Sequence, residues 1–367
     1  MQIDRHTFDD PLVTRSTTRT QSSGSFEGPR SILRRGDDEE ERVSKGESDA
    51  EGLYFPISPF MIYPEAYGEF AVFVRKGKNL ILFTRQGEQF TKNHKAILHQ
   101  NGIQELYIQS SQKPDYDRYL EEHLGMVLAD EAVPLAVRSK VLYHHATSVL
   151  GEIFESSRHD LSAGSMEKLK NIVRSSWHFF SNSDALRSMA PILSHGYGVH
   201  THSVNVFIYC AAILDSWKMS IEERLKTELG AILHDIGKAT LPRVILNKHG
   251  RLNSEERDLM KMHPVRGVGM CSMLHIGQTV MHSVLFHHEK LDGSGYPAGL
   301  RDSAIPLCAR IIAVVDAFDT FTSERYFYAD PLSAHQALTF LQEEMSGWYD
   351  KGVITQFGKK LREAEID

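Results

Sequence analysis

Residues 287–297 read His-His-Glu-Lys-Leu-Asp-Gly-Ser-Gly-Tyr-Pro, two adjacent imidazoles ahead of an acidic, glycine-punctuated turn. Upstream, His234-Asp235-Ile236-Gly237-Lys238 sets another imidazole beside a carboxylate and reads as placing a cation, Lys238, one turn away on the same helix. Neutral imidazole and carboxylate with room for water suit divalent iron or manganese, and less favourably zinc. Ten of the nineteen histidines fall between His195 and His288, so the ligand types concentrate in one region. The chemistry expected there is metal-assisted, with a substrate loop beside the metals.

Helices must present these groups. Val199–Trp217 reads as an amphipathic helix with His202 on or beside its apolar stripe of Val204, Ile208, Ala211 and Ala212. Ile221–Ile236 reads as a second helix ending in His234-Asp235. Adjacent side chains on a helix diverge by about 100°, so this pair reaches two neighbouring ions more readily than it chelates one. A third helix starts at Asn253, with Glu256 as capping-box partner, and leads to His263-Pro264. A fourth runs from about Gln278 to His287-His288. A fifth follows Pro306 and buries Asp316 among Ile311, Ile312, Val314 and Val315, where an unpaired carboxylate is costly. His195, His200, His249, His275 and His282 read as ordinary histidines.

The rest of the chain sets limits. Its 367 residues are 41% hydrophobic and 24% charged, with a formal net charge of −7, which excludes a general nucleic-acid binder carrying a basic stripe. No apolar leader and no run of 18 apolar residues is visible, and the three cysteines are widely spaced, so a soluble cytoplasmic protein without a membrane span is expected. Residues 1–50 carry few large apolar side chains and read as a disordered tail. Residues 51–115 alternate as strands around Lys76-Gly77-Lys78 and form a small α+β module of unknown role. Residues 116–190 have helical periodicity and read as a connector able to support a homodimer. The fold expected is mainly α: a C-terminal all-helical bundle over residues 191–367, the small α+β module and the tail.

The order and spacing of these blocks resemble the HD-GYP domain, the cyclic dinucleotide phosphodiesterase branch of the HD metal-dependent phosphohydrolases. The matching stretches are His202-Ser203 with Val206, Leu233 to Lys238, Leu252 to Glu256, His263-Pro264, His287-His288-Glu289, Asp292 to Pro297, Val315 to Asp319 and Ser323-Glu324-Arg325. Carried over by position, the resemblance implies His202, His234, Asp235, His263, His287, His288 and Asp316 as metal ligands. Asp235 would bridge two ions, one also held by His202, His234 and Asp316, the other by His263, His287 and His288. Family members with a third metal carry Glu where this chain has Gly198, so two ions are expected. The family's basic residue three places after Arg325 is replaced by Tyr328.

Two cations about 3.5–4 Å apart can ionise a shared water and hold a phosphate oxygen. The resemblance then implies hydrolysis of cyclic di-GMP to the linear dinucleotide pGpG or onward to GMP, by a hydroxide bridging the metals. Asp235 would hold both ions and Lys238 would neutralise phosphate charge. Arg325 would grip the second phosphate, and the Gly293–Pro297 turn with Tyr296 would wall the pocket. A non-hydrolytic cyclic di-GMP sensor, a phosphohydrolase for a mixed cyclic GMP-AMP dinucleotide and a metal-stabilised scaffold all stay open on sequence alone.

Overall fold

The apolar runs after Tyr54 pair into one antiparallel sheet. In the computed structural model, β1 (Tyr54–Ile57), β2 (Val72–Lys76), β3 (Asn79–Thr84) and β4 (Leu106–Gln109) lie in the order β1-β4-β2-β3. Lys76-Gly77-Lys78 forms the expected hairpin, with Gly77 at φ 63°, which glycine adopts without the penalty of a Cβ. α1 (Lys92–Gln100) links β3 to β4, its N-terminus capped by the Thr91 hydroxyl, which accepts from the His94 N–H. The structure describes residues 52–156, 161–193, 198–248, 250–323 and 330–366. The expected tail at 1–50, Arg325, Tyr328, His195 and His249 lie outside the described residues.

Among the described residues, the elements that follow the sheet are helices: α2 (Lys113–Ala129), α3 (Leu135–Glu155), α4 (Ala163–Phe180), α5 (Ala185–Met189), α6 (Val199–Leu214), α7 (Ile221–Leu233), α8 (Arg243–Leu246), α9 (Ser254–Met260), α10 (His263–Cys271), α11 (Gln278–Phe286), α12 (Leu307–Thr322), α13 (Ala334–Glu343) and α14 (Lys351–Glu363). The mainly α fold with a small sheet module therefore holds. The sheet docks on α2 through Phe70, whose ring meets Tyr116 and Tyr119 edge-on at 5.5 and 5.4 Å. One continuous core runs from Ile57 to Ala364, and α4 packs on both α2 and α7, so the connector is part of the helical body. No described helix is long and apolar enough to cross a membrane.

Two helices differ from their sequence reading in an instructive way. α6 is buried at every position from His202 to Leu214, so it is a central helix packed on all sides and not an amphipathic one. It also stops three residues short of Trp217, because Asp215 caps it and the chain turns. α7 ends at Leu233, after which Ile236–Thr240 tightens into a 3-10 turn.

α3 buries His145, 4% exposed, with no hydrogen-bond partner at Nε2. Burial lowers its pKa from 6.5 to about 4. A base whose folded pKa is depressed contributes stability that is complete above its unfolded pKa and is lost as the pH falls toward the folded one. Between neutral pH and about pH 5, the wild type should lose about 2 kcal/mol more stability than a His145→Leu variant. Urea unfolding of both proteins at the two pH values checks this; equal losses would show that His145 does not contribute.

Candidate metal centre

The helix ends and the buried faces of α6 and α12 bring the seven predicted ligands together. His202 lies in the first turn of α6, and Asp316 in the middle of α12. His234 caps α7, and Asp235 opens the 3-10 turn that follows. His263 begins α10, with Pro264 next to it, where a missing N–H costs nothing. His287 caps α11 and His288 follows directly.

These side chains sort into two groups of ligand atoms, each within 4.8 Å of one another: Asp235, His263, His287 and His288, and separately His202, His234 and Asp316. Asp235 stands between them. Its Oδ1 is 3.1 Å from His263 Nε2 and 3.9 Å from His287 Nε2, while Oδ2 is 3.3 Å from His234 Nε2 and 3.7 Å from His202 Nε2. Asp316 Oδ1 lies 2.9 Å from His202 Nε2, and its Oδ2 lies 3.9 Å from His288 Nδ1. One carboxylate thus addresses both groups with different oxygens.

The far side of each imidazole is tied down. His234, His263 and His287 donate from Nδ1 to the carbonyls of Ala231, Met260 and Val284 at 2.8, 2.8 and 2.9 Å. That fixes the tautomer with an Nε2 lone pair facing the site, as metal-bound histidines require. His202 turns Nδ1 instead to Asp319 Oδ2 at 2.6 Å, and Asn205 donates to the other oxygen of Asp319 at 3.0 Å. Asp319 is the buried member of this candidate site that sequence reasoning missed. It stood in the matched Asp316–Asp319 stretch, and its i+3 spacing from a buried acid was the available signal. Replacing Asp319 by Ala should weaken metal retention at the His202 group by about 10–100-fold, read by chelator titration. A titration curve identical to wild type would reduce Asp319 to a packing role.

The loop after His288 is pinned from within. Glu289, 2% exposed, accepts from the N–H groups of Ala298, Gly299 and Leu300 at 2.7, 3.1 and 2.9 Å. A Cβ on Gly295 would lie 2.4 Å from Lys290 N and 2.5 Å from Glu289 Cα, so only glycine lets the loop fold back here. The Tyr296–Pro297 bond is cis. Tyr296 stacks on His288 with centroids 4.7 Å apart, which sets the predicted substrate residue against a predicted ligand. Lys238 differs from its sequence reading. It lies on the 3-10 turn and not on the α7 helix, and its Nζ pairs with Asp235 Oδ2 at 2.6 Å. Arg325 lies outside the described residues, so its expected phosphate contact has no structural account.

The electrostatics suit cations. His234 Nε2 and Asp235 Oδ1 are buried without a hydrogen-bond partner, an expensive arrangement unless a cation meets them. Burial opposes charge on His202, but the hydrogen-bonded carboxylates of Asp316 and Asp319 outweigh it and lift its pKa to about 10. A divalent ion competes with that proton for the same pair of atoms. Burial and then the neighbouring imidazoles push His287 down to about 3 and His288 well below its usual range, and burial also lowers His263. Burial works to raise Asp235, yet Lys238 and His234 hold it well below the usual carboxylate range. The lowered imidazoles of His263, His287 and His288 beside the ionised Asp235 have the protonation states that ligands need, and the donor set fits two divalent ions.

Comparison with known proteins agrees with this architecture. The HD domain family matches residues 169–353, from within α4 to the first turn of α14. A cyclic di-GMP phosphodiesterase of Pseudomonas aeruginosa is 34% identical over 48% of this chain and 43% of its own length. One from Thermotoga maritima is 30% identical over 64% of this chain and 66% of its own. A 3′3′-cGAMP-specific phosphodiesterase of Vibrio cholerae is 34% identical over 40% of this chain and 33% of its own. The matches therefore span less than two thirds of these relatives. Among solved structures, an HDG"Y"P protein from Bdellovibrio bacteriovorus superimposes with a TM-score of 0.59 at 21% identity, covering 84% of this chain and 99% of that one. That likeness carries the fold. With half of the chain matched and the motif blocks of the HD-GYP branch present in order, the chain belongs to the HD domain family.

Proposed function

We propose that this chain is a metal-dependent phosphodiesterase that hydrolyses a cyclic dinucleotide, with cyclic di-GMP as the first candidate and a binuclear site of iron or manganese. The observation that supports it most is the Asp235 carboxylate, 1% exposed, with one oxygen toward each of two ligand groups. His202, His234 and Asp316 would hold one ion, His263, His287 and His288 the other, with Asp235 shared. Bound there, the ions supply the Lewis acidity that ionises water near neutral pH and polarises a phosphoryl oxygen.

The chain's own groups do the remaining work in this reading. Lys238, already paired with Asp235, offers an N–H donor to a phosphate oxygen entering the site. Asp319 keeps His202 facing Asp316, and the backbone acceptors behind His234, His263 and His287 keep three lone pairs aimed inward. Tyr296, stacked on His288 and carried by the Glu289-pinned loop, limits how the substrate enters. The reading places the protein in the cytoplasm, in keeping with three buried free cysteines.

A 3′3′-cyclic GMP-AMP substrate is the second reading, because a relative of that stated specificity aligns with the chain. The test joins metal analysis of anaerobically purified protein to incubation with each cyclic dinucleotide and chromatography of the products. Release of linear dinucleotide or mononucleotide from one of them, dependent on iron or manganese, supports the reading and names the substrate. Metal-loaded protein that leaves both intact overturns it.

A further inference from the structure

We propose that Lys261 is a substrate-binding residue for the second, non-reacting phosphate of the cyclic dinucleotide; this rests on the hydrolytic reading above. Lys261 caps the C-terminus of α9, two residues before the ligand His263. Its ammonium lies 5.6 Å from the centroid of the Tyr296 ring, and that ring stacks on His288 at 4.7 Å. A chain of two contacts therefore ties this cation to the edge of the second ligand group.

What Lys261 does not do is equally informative. Two other lysines of this region have carboxylate partners, Lys238 with Asp235 and Lys248 with Glu256, while Lys290 lies over the Trp348 ring at 3.4 Å. Lys261 has no ion pair among the described residues, although Asp258 stands one turn back on the same short helix. A lysine with a carboxylate at i−3 ordinarily has that pairing open to it; here the half-buried side chain is turned to the aromatic face beside the predicted metal ligands. Such a contact is weak enough to yield to a phosphate. Met262 and Val265, next in the chain, expose apolar side chains at 45% and 42%, the kind of surface that a nucleobase covers.

The charge requirement points the same way. A cyclic dinucleotide carries two phosphodiesters, and a chain of net charge −7 must meet both with local cations. Lys238 and the metal ligands sit together at the reacting phosphate. Lys261, outside the 4 Å range of every site carboxylate yet in contact with Tyr296, lies where the other phosphate of a bound ring can reach it. Lysine meets phosphate as a mobile point charge, which suits a group held by one weak contact.

The experiment compares wild type with Lys261→Met and Lys261→Arg in the full chain loaded with manganese. Steady-state kinetics are measured with cyclic di-GMP and with bis(p-nitrophenyl) phosphate, which has a single phosphodiester, and cyclic di-GMP binding is measured in parallel by calorimetry. Lys261→Met should lower the ratio of kcat/KM for cyclic di-GMP over the one-phosphate ester by about tenfold or more, through KM. Its Kd should rise by a similar factor with a shallower salt dependence, and Lys261→Arg should keep most of the wild-type preference. Equal losses on both substrates, or none, overturn the assignment. Wild type that binds cyclic di-GMP without cleaving it defeats the hydrolytic reading, while the Kd comparison still decides Lys261. Wild type that neither binds nor cleaves it defeats both.

Discussion

In the proposed binuclear centre, Asp235→Asn should cost at least about three orders of magnitude in turnover and take metal content from two ions per chain to fewer than one. The substitution preserves shape and volume, so its effect is electrostatic. Asp235 Oδ1 faces His263 and His287, and Oδ2 faces His234, His202 and Lys238. Asparagine removes the negative charge and replaces one of these oxygens with an NH2 group, which has no lone pair for a cation. Whichever way the amide flips, one ligand group loses its carboxylate oxygen, and neither keeps an anion between them. Each tenfold in rate is 1.36 kcal/mol, so three decades correspond to about 4 kcal/mol, within what Lewis-acid stabilisation by metal ions supplies. Inductively coupled plasma analysis and the hydrolysis assay on the same preparation give both readouts. A variant that keeps two ions and turns over within tenfold of wild type would show that Asp235 is not shared. Asp319→Ala offers the graded comparison, since it leaves every ligand in place and disturbs the orientation of one.

The convergence of these seven residues was legible because the ligand types that metal chemistry needs are few. Seven imidazole and carboxyl groups in fixed order across five segments left few other readings, and the structure brings all seven within reach of Asp235 or Asp316. The strands and the hairpin at Gly77 were legible for a local reason: alternation and a glycine turn are written in adjacent residues. Burial on all sides of α6 was not, because a central helix and an amphipathic one share apolar positions and differ only in what packs on the remaining faces. The role of Asp319 was hidden for a related reason. Its partners, His202 and Asn205, lie more than a hundred residues earlier in the chain. Lys238 was legible as a site residue but misplaced on its helix, since the switch from α7 to a 3-10 turn follows from how that turn meets α10.

Gly237 exposes that contact, and Gly237→Ala should be the most disruptive glycine-to-alanine change among the described residues. A Cβ there would stand 1.9 Å from the His263 carbonyl oxygen and 2.5 Å from Gly267 N. Both are backbone atoms of α10, which cannot rotate away as a side chain would. Gly267 meets it from the other side: a Cβ on Gly267 would lie 2.7 Å from Val284 Cγ1 and 3.3 Å from Gly237 N. Two facing glycines therefore let the turn carrying Asp235 lie directly against the helix that begins with His263. Overpacking a well-filled core costs about 1–3 kcal/mol, occasionally more, and backbone on both sides puts this site at the upper end. The strain has one direction of release, which is to move the 3-10 turn off α10 and so lengthen the 3.1 Å approach of Asp235 Oδ1 to His263 Nε2. The expected result is a fall in the urea midpoint, with metal lost from the His263 group before the His202 group, because Asp235 travels with His234. Gly267→Ala, which meets a movable valine methyl first, should be milder on both counts. If Gly237→Ala matches wild type in midpoint and metal content, the close approach of turn and helix is not what holds the two ligand groups together.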